Sequence, residues 1–236
     1  MQFIERFNFT LTIIRFGIIF LVGLLIFFAN KAAAQQMVVD DAEITTHRSF
    51  QIESWYGTIE SWMLPAVGVT SYLEVAAGLG FDSDNTFSPD LWMLEAKVVP
   101  GDLEDDGSAW GIVTGVMWDM DREMDELYAY IPYSRMMLND SSVLHLNAGW
   151  AMFGGDETEH ALIYGIRADI GLYDRISVLS ELFTENVETP SFQAGLRFEL
   201  IDGLLEMDVT YGQGFQSGID DPGLNIGLAF TPDRMW

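Results

Sequence analysis

The chain has 236 residues, with 36 Asp and Glu residues against 11 Lys and Arg residues, and a formal net charge of -25 at neutral pH. This acidity excludes nucleic acid as a partner, because binding it depends on neutralising phosphates with Lys and Arg. The chain contains no cysteine, which excludes disulfide frameworks, thiolate metal sites and a cysteine nucleophile. Solvated acidic loops would give the same charge balance without any specific ligand.

The N-terminal residues have the pattern of a secretory signal peptide. Arg6 and Arg15 precede an apolar run over 16–29, and a stretch of small residues ends at Ala34. We expect a signal peptide over 1–34 that is cleaved after Ala34 and exports the chain. The alternative is an uncleaved membrane helix that begins earlier in the sequence, but Arg15 would interrupt it.

After the signal peptide we predict a short N-terminal periplasmic segment over 35–47 and one further domain over 48–236, because no Pro-rich, Ser-rich or charged linker divides it. Within this domain, runs close to the length needed to cross a tilted barrel wall recur about twelve times. The predicted strands cover 48–57, 62–70, 72–82, 91–100, 108–118, 126–137, 142–153, 160–170, 175–185, 191–201, 204–213 and 223–231.

The last third of the chain shows the clearest strand pattern. Over 192–200, Phe, Ala, Leu, Phe and Leu alternate with Gln, Gly, Arg and Glu, and the run over 205–212 repeats the alternation. Each strand therefore has one apolar face and one face with ionisable groups. Such strands fit a wall between hydrocarbon and water, and the pattern predicts an all-β, antiparallel, up-and-down transmembrane β-barrel of about twelve strands.

The connections between predicted strands alternate in length. Those after the second, sixth, eighth and tenth strands are short, whereas most of the others are longer and acidic. Short periplasmic turns and longer external loops are typical of outer-membrane barrels. The longer acidic connection over 101–107 is an exception on the short-turn side. Aromatic residues near strand ends predict interfacial girdles: Trp55, Tyr56, Trp62, Phe81, Trp92, Trp118, Phe153 and Phe183.

The segment 192–232 resembles the closing strands of small bacterial outer-membrane barrels. The resemblance rests on the hairpin around Asp202-Gly203 and on the final run Leu-Asn-Ile-Gly-Leu-Ala-Phe over 224–230. The run Thr-Ser-Tyr-Leu-Glu-Val over 70–75 is similar to the outer-membrane barrel group associated with phenol degradation (the MetA pathway). This resemblance implies an uptake role as a channel or transporter. The chain departs from the usual pattern at its end, where 231–236 follow the last strand.

Ionisable side chains on the predicted inner face form the candidate site. We expect them to line the lumen, either as a polar network that fills it or as a selectivity lining: Glu95, Lys97, Arg135, His145, Arg167, Asp169, Arg197, Glu199, Glu206 and Asp208. A two-residue turn at Asp202-Gly203 would place Arg197 opposite Asp208 and Glu199 opposite Glu206. The second pair would need Arg135 or Arg167 nearby, a cation or a shared proton.

Catalytic and metal-binding patterns are weak. His145 alternates with Asn147 inside a predicted strand near Ser141 and Ser142, but no nucleophile elbow is present. For the acidic run at 102–107, Val113 stands at the twelfth position, where a calcium loop needs a bidentate Glu. This run and the one at 119–125 are interpreted as solvated loops, because a true cation site needs converging oxygens. We therefore predict no enzyme activity, no catalytic residue, no cofactor and no metal site.

The sequence therefore predicts a monomeric barrel of the bacterial outer membrane that acts as a passive channel for small solutes or as a structural wall component. Its expected partners are outer-membrane lipid, the barrel-insertion machinery and a small solute. The alternatives are a barrel hydrolase that acts on lipid and a secreted soluble β-protein that binds a hydrophobic ligand.

Overall fold

The computed structural model describes residues 37–82, 88–137, 141–155, 158–186, 189–216, 222–232 and 235. The predicted signal peptide lies outside these residues. Within them, no helix is both long enough and apolar enough to cross a membrane.

The described residues form thirteen strands and one short helix, α1 (Leu103–Asp106). The strands are β1 (Phe50–Gly57), β2 (Glu60–Gly68), β3 (Leu73–Asp82), β4 (Pro89–Val98), β5 (Ser108–Trp110), β6 (Ile112–Asp119), β7 (Met124–Met137), β8 (Ser142–Phe153), β9 (Glu159–Tyr173), β10 (Ile176–Glu185), β11 (Ser191–Ile201), β12 (Leu205–Gly214) and β13 (Gly223–Phe230).

The strands form one closed antiparallel sheet. Strands β5 and β6, interrupted at Gly111, both pair with β7 and together occupy one position between β4 and β7. The first strand pairs with β13, and β7 pairs with β8, so the ring of twelve positions has no open edge. The predicted fold class, an antiparallel up-and-down barrel of about twelve strands, is confirmed.

Alternation along each strand separates two surfaces. Leu196, Val209 and Ile226 are cross-strand neighbours in one outward row, and Leu196 is 38% exposed. Gln193 and Asn225, on the opposite face, are almost completely buried. Exposed apolar side chains outside and buried polar side chains inside are the reverse of a water-soluble protein, and this arrangement fits a wall that faces lipid.

The closing hairpin has the predicted register. Leu204 N donates to Ile201 O at 2.9 Å, and Gly203 at the centre of this turn has a φ of 61°, which glycine adopts without steric cost. Arg197 therefore faces Asp208, and Glu199 faces Glu206.

Helix α1 explains the long connection on the short-turn side. Asp102 caps the helix, and its Oδ1 accepts the N–H groups of Glu104 and Asp105 at 2.9 and 3.0 Å. Leu103 packs with Val99 in a small buried cluster at this end of the barrel. The acidic run thus stabilises a helix N-terminus.

Candidate functional site

Residues 37–45, called the inner segment below, pass through the lumen. Backbone and side-chain groups of this segment contact inward side chains of six strands, β3, β4, β7, β9, β10 and β11. The inner segment belongs to the region 35–47 that the sequence predicts to be periplasmic. The described contacts place residues 37–45 beside side chains that face the lumen.

Backbone hydrogen bonds fix the path of the inner segment. Glu181 of β10 accepts the N–H groups of Val38 and Val39 at 3.0 and 2.9 Å. At the other end of the segment, Thr45 N donates to Glu74 Oε2 at 2.6 Å. These charge-assisted bonds satisfy backbone N–H groups of the inner segment that are not paired with a strand. Each bond stabilises the position of the inner segment by about 1.5 to 3 kcal/mol.

Two buried cations hold the middle of the inner segment. Lys97 Nζ lies 2.9 Å from Asp40 Oδ1 and 3.3 Å from Asp41 Oδ1. Arg167 Nη1 donates to Val39 O at 2.8 Å, and its Nη2 lies 3.7 Å from Asp41 Oδ2. Burial alone would raise the pKa of Asp41, but Lys97 and Arg167 outweigh it and hold this pKa below its ordinary value. Asp41 therefore stays ionised at neutral pH.

A network of arginines and carboxylates lies beside the inner segment. Arg197 makes two hydrogen bonds to Asp208, at 2.8 and 2.7 Å, and Arg167 makes two to Asp169, at 2.8 and 2.9 Å. Arg197 Nη1 also lies 3.8 Å from Asp169, which joins the two pairs. Bidentate pairs of this kind fix both partners in position.

The facing carboxylates of the closing hairpin, Glu199 and Glu206, have other partners than the predicted ones. Glu199 Oε1 accepts the N–H of Gly203 in the turn at 2.7 Å, and Glu206 lies 3.4 Å from Arg197. Each carboxylate therefore has its own donor, and neither Arg135 nor Arg167 supplies one in the described contacts.

Nine of the ten predicted lumen residues share the inward face. They are Glu95, Lys97, His145, Arg167, Asp169, Arg197, Glu199, Glu206 and Asp208. Arg135 is different, because it is exposed and alternates with the buried Ser134, which puts it on the outward face near the end of β7. The sequence of β7 has aromatic residues on both faces, so its pattern does not identify the inward one. An outward Arg near a strand end can reach the headgroup layer.

The lumen also contains an apolar region that the sequence analysis missed. Trp62, Met93, Val113, Tyr128 and Ala151 form a buried cluster in the half of the barrel nearest the long loops. This region, called the outer chamber below, also includes Trp55, Leu64, Leu91, Met117, Tyr130, Phe153 and Ile163.

The prediction of an aromatic girdle is therefore correct for only part of its set. Trp92 and Trp118 stack at 4.1 Å and alternate with inward residues, so they lie on the outer surface. Trp55 and Trp62 stack at 6.2 Å inside the lumen. Trp62 lies against Gly80, where a Cβ would come within 2.8 Å of the indole ring. The sequence could have indicated the inward position of Trp55, because Trp55 lies two residues from Glu53 and alternate residues of a strand share one face.

A cavity of about 740 Å³ remains beside the inner segment. Its lining includes Glu60 and Glu126 near the long-loop end and Glu206 and Thr231 near the short-turn end. A second cavity of about 340 Å³ also borders Val38, together with Val39, Tyr128 and Asn147. The inner segment thus narrows the lumen and leaves space that touches residues near both ends of the wall.

The catalytic alternative has one suggestive geometry. Ser134 Oγ lies 2.7 Å from His145 Nδ1, and His145 Nε2 lies 3.7 Å from Asp169. However, Ser134 is completely buried, and its Oγ accepts the N–H of Ala42 at 2.7 Å. The inner segment therefore covers this hydroxyl, and the arrangement anchors the segment. In the described part of the chain, no group of three or more His, Asp or Glu side chains is placed to hold a metal ion.

Comparison with family models gives one match, over residues 21–227, to the family described as "Uncharacterised conserved protein UCP029691". The chain belongs to this family. No curated protein matches the sequence.

Comparison with solved structures gives several outer-membrane barrels. The KdgM porin in complex with disordered oligogalacturonate is 8% identical, with a TM-score of 0.60, over 78% of this chain and 99% of that chain. A second KdgM porin structure has a TM-score of 0.57 at 7% identity, with the same coverage. Omp33 of Acinetobacter baumannii has a TM-score of 0.48 at 6% identity, over 80% of this chain and 100% of that chain. The KdgM likeness confirms the closed antiparallel β-barrel fold.

Proposed function

We propose that this member of the family is a passive channel of the bacterial outer membrane that prefers small cations. The observation that carries the proposal is the cavity of about 740 Å³, which runs beside the inner segment and touches residues near both ends of the wall. A closed barrel with remaining polar space can conduct, and the charge of its lining selects the ion.

The preference for cations follows from the lining. Within the described strands, the inward Lys and Arg residues are Lys97, Arg167 and Arg197, and each one contacts carboxylates. Inward carboxylates are more numerous, and several of them border the cavity, including Glu53 and Glu95. Fixed carboxylates raise the local concentration of cations and repel anions. A polyanion such as the oligogalacturonate bound by the KdgM porin would therefore be disfavoured here.

The test is conductance of the purified barrel in planar lipid bilayers. We expect a reversal potential in a salt gradient that indicates cation preference, and we expect Glu199→Gln combined with Glu206→Gln to lower that preference. Asp105→Asn is the matched control, because it removes a carboxylate from the exposed helix α1 outside the lumen. A folded barrel that shows no conductance, or one selective for anions, would contradict the proposal.

The remaining expectations belong to the same proposal. We propose cleavage after Ala34, insertion by the barrel-insertion machinery and a monomeric state in outer-membrane lipid. The closed sheet supports the monomer, because closure leaves no strand edge for another chain to extend. The finer likeness to barrels associated with phenol degradation would add an organic permeant. Intact mass of the purified protein tests the cleavage, and native mass spectrometry in detergent tests the monomer.

A further inference from the structure

The outer chamber combines flat aromatic surfaces with carboxylates. The indole of Trp55 stacks on that of Trp62, and both border the cavity together with Met93, Glu53 and Glu95. Aromatic faces and carboxylates both attract cations, whereas Met and Leu side chains favour an apolar group.

The carboxylates of the chamber have neutral partners. Glu95 Oε2 accepts the hydroxyl of Tyr128 at 2.6 Å, and Glu53 accepts the side-chain amide of Gln51. The ion pairs within the described part of the chain involve neither Glu53 nor Glu95. The nearby Lys97 is held by Asp40 and Asp41 instead. The chamber is therefore an apolar space bordered by two carboxylates that form no ion pair within the described part of the chain.

We propose that the outer chamber is a binding site for organic cations that carry an apolar or aromatic group. The chamber forms part of the cavity of about 740 Å³, and small-molecule sites occupy about 300 to 1,000 Å³. A neutral aromatic solute would gain only the apolar contacts, and an aromatic anion would meet the carboxylates. This inference deepens the proposed channel function and rests on it for the role of the site in uptake.

Binding is measured on the folded, detergent-solubilised barrel by isothermal titration calorimetry with three probes of similar size: phenyltrimethylammonium, benzyl alcohol and benzenesulfonate. We expect phenyltrimethylammonium to bind at least about tenfold more tightly than the other two, because only the cation gains cation–π and charge interactions. Equal binding of benzyl alcohol, tighter binding of benzenesulfonate, or binding of none of the three would overturn the proposal.

Variants locate the site. Trp55→Leu keeps an apolar side chain and removes an aromatic face, and we expect it to weaken phenyltrimethylammonium binding about fivefold to tenfold. Trp92→Leu is the matched control, because Trp92 stacks on Trp118 at the outer surface. This variant should bind phenyltrimethylammonium as tightly as the unchanged protein. If Trp55→Leu fails to fold, the isosteric variant Glu53→Gln tests the site instead. It should weaken the binding of phenyltrimethylammonium without changing the binding of benzyl alcohol. Unchanged cation binding in the folded Trp55 variant, or in Glu53→Gln, would refute the assignment.

The calorimetric result is independent of the conductance result. Conductance without binding of the cation would reject the chamber site and leave the channel. Selective cation binding without conductance would reject the channel and retain the chamber as a binding site.

Discussion

A charged residue placed on the outward surface should destabilise the barrel, whereas the same residue on the inward surface should not. Leu196 lies at the centre of β11, five residues from either end. At about 3.3 Å per residue and a tilt of about 40°, it lies about 13 Å from each end of the wall. That depth is half of the apolar band of about 25 Å, so Leu196 lies close to the bilayer midplane. Leu196→Arg should therefore cost about 2 to 4 kcal/mol of folding free energy.

The matched inward variant is Ala229→Arg. Ala229 borders the cavity and lies between Glu53 and Glu206 in the register of the neighbouring strands. An arginine there would face two carboxylates and open space, so we expect a loss below about 1 kcal/mol. Gln193, which the alternation also places inward, is a poorer control because it is completely buried and bonded to Met37 and Asn225.

The assay is reversible urea unfolding in lipid vesicles, with heat-dependent gel mobility to verify folding of each variant. Equal losses for Leu196→Arg and Ala229→Arg would refute the assignment of faces, even if both variants fold. A loss confined to Ala229→Arg would place lipid on the opposite surface from the one described.

Two further variants test the lumen. Lys97→Met removes the buried cation between Asp40 and Asp41, which are partly exposed. The loss should therefore be below the roughly 3 to 5 kcal/mol of a fully buried pair. The inner segment should leave its path, and conductance in planar bilayers should rise. Unchanged conductance would show that the inner segment does not limit flow. Gly80→Ala should cost about 1 to 3 kcal/mol in urea unfolding, because its Cβ would overlap the indole of Trp62. Gly101→Ala should cost less, because its Cβ would lie 3.6 Å from Asp106 Oδ2, an ordinary contact distance.

The strands could be predicted from sequence because their signals are local. Alternation over a few residues and turns such as Asp202-Gly203 fixed most strand boundaries to within about two residues and the closing register correctly. The face of Arg135 could not be predicted in the same way. The strand β7 carries Tyr128 and Tyr130 on one face and Ile131 and Tyr133 on the other, so both faces have apolar character.

The inner segment could not be predicted, because its contacts are distant in sequence. Val38 bonds to Glu181 across 143 positions, and Ala42 bonds to Ser134 across 92. Nothing in residues 37–45 themselves has a period or a turn signal that would indicate these partners. The pattern of the wall also gives no indication, because an inward Glu is expected in a water-filled lumen with or without a segment inside it.

The inner segment changes what the acidic composition means for the lumen. Its two aspartates engage Lys97 and Arg167, and Arg197 is engaged by Asp208. The inward positive charges of the described strands are therefore engaged by aspartates, whereas Glu53 and Glu95 border the cavity without an ion pair in the described part of the chain. If the inner segment moved out of the lumen with Asp40 and Asp41, Lys97 would become available to Glu53 and Glu95 and would reduce their attraction for cations. The same segment that narrows the lumen would thus also maintain the negative potential of the space that remains, so opening the lumen and losing cation preference should occur together.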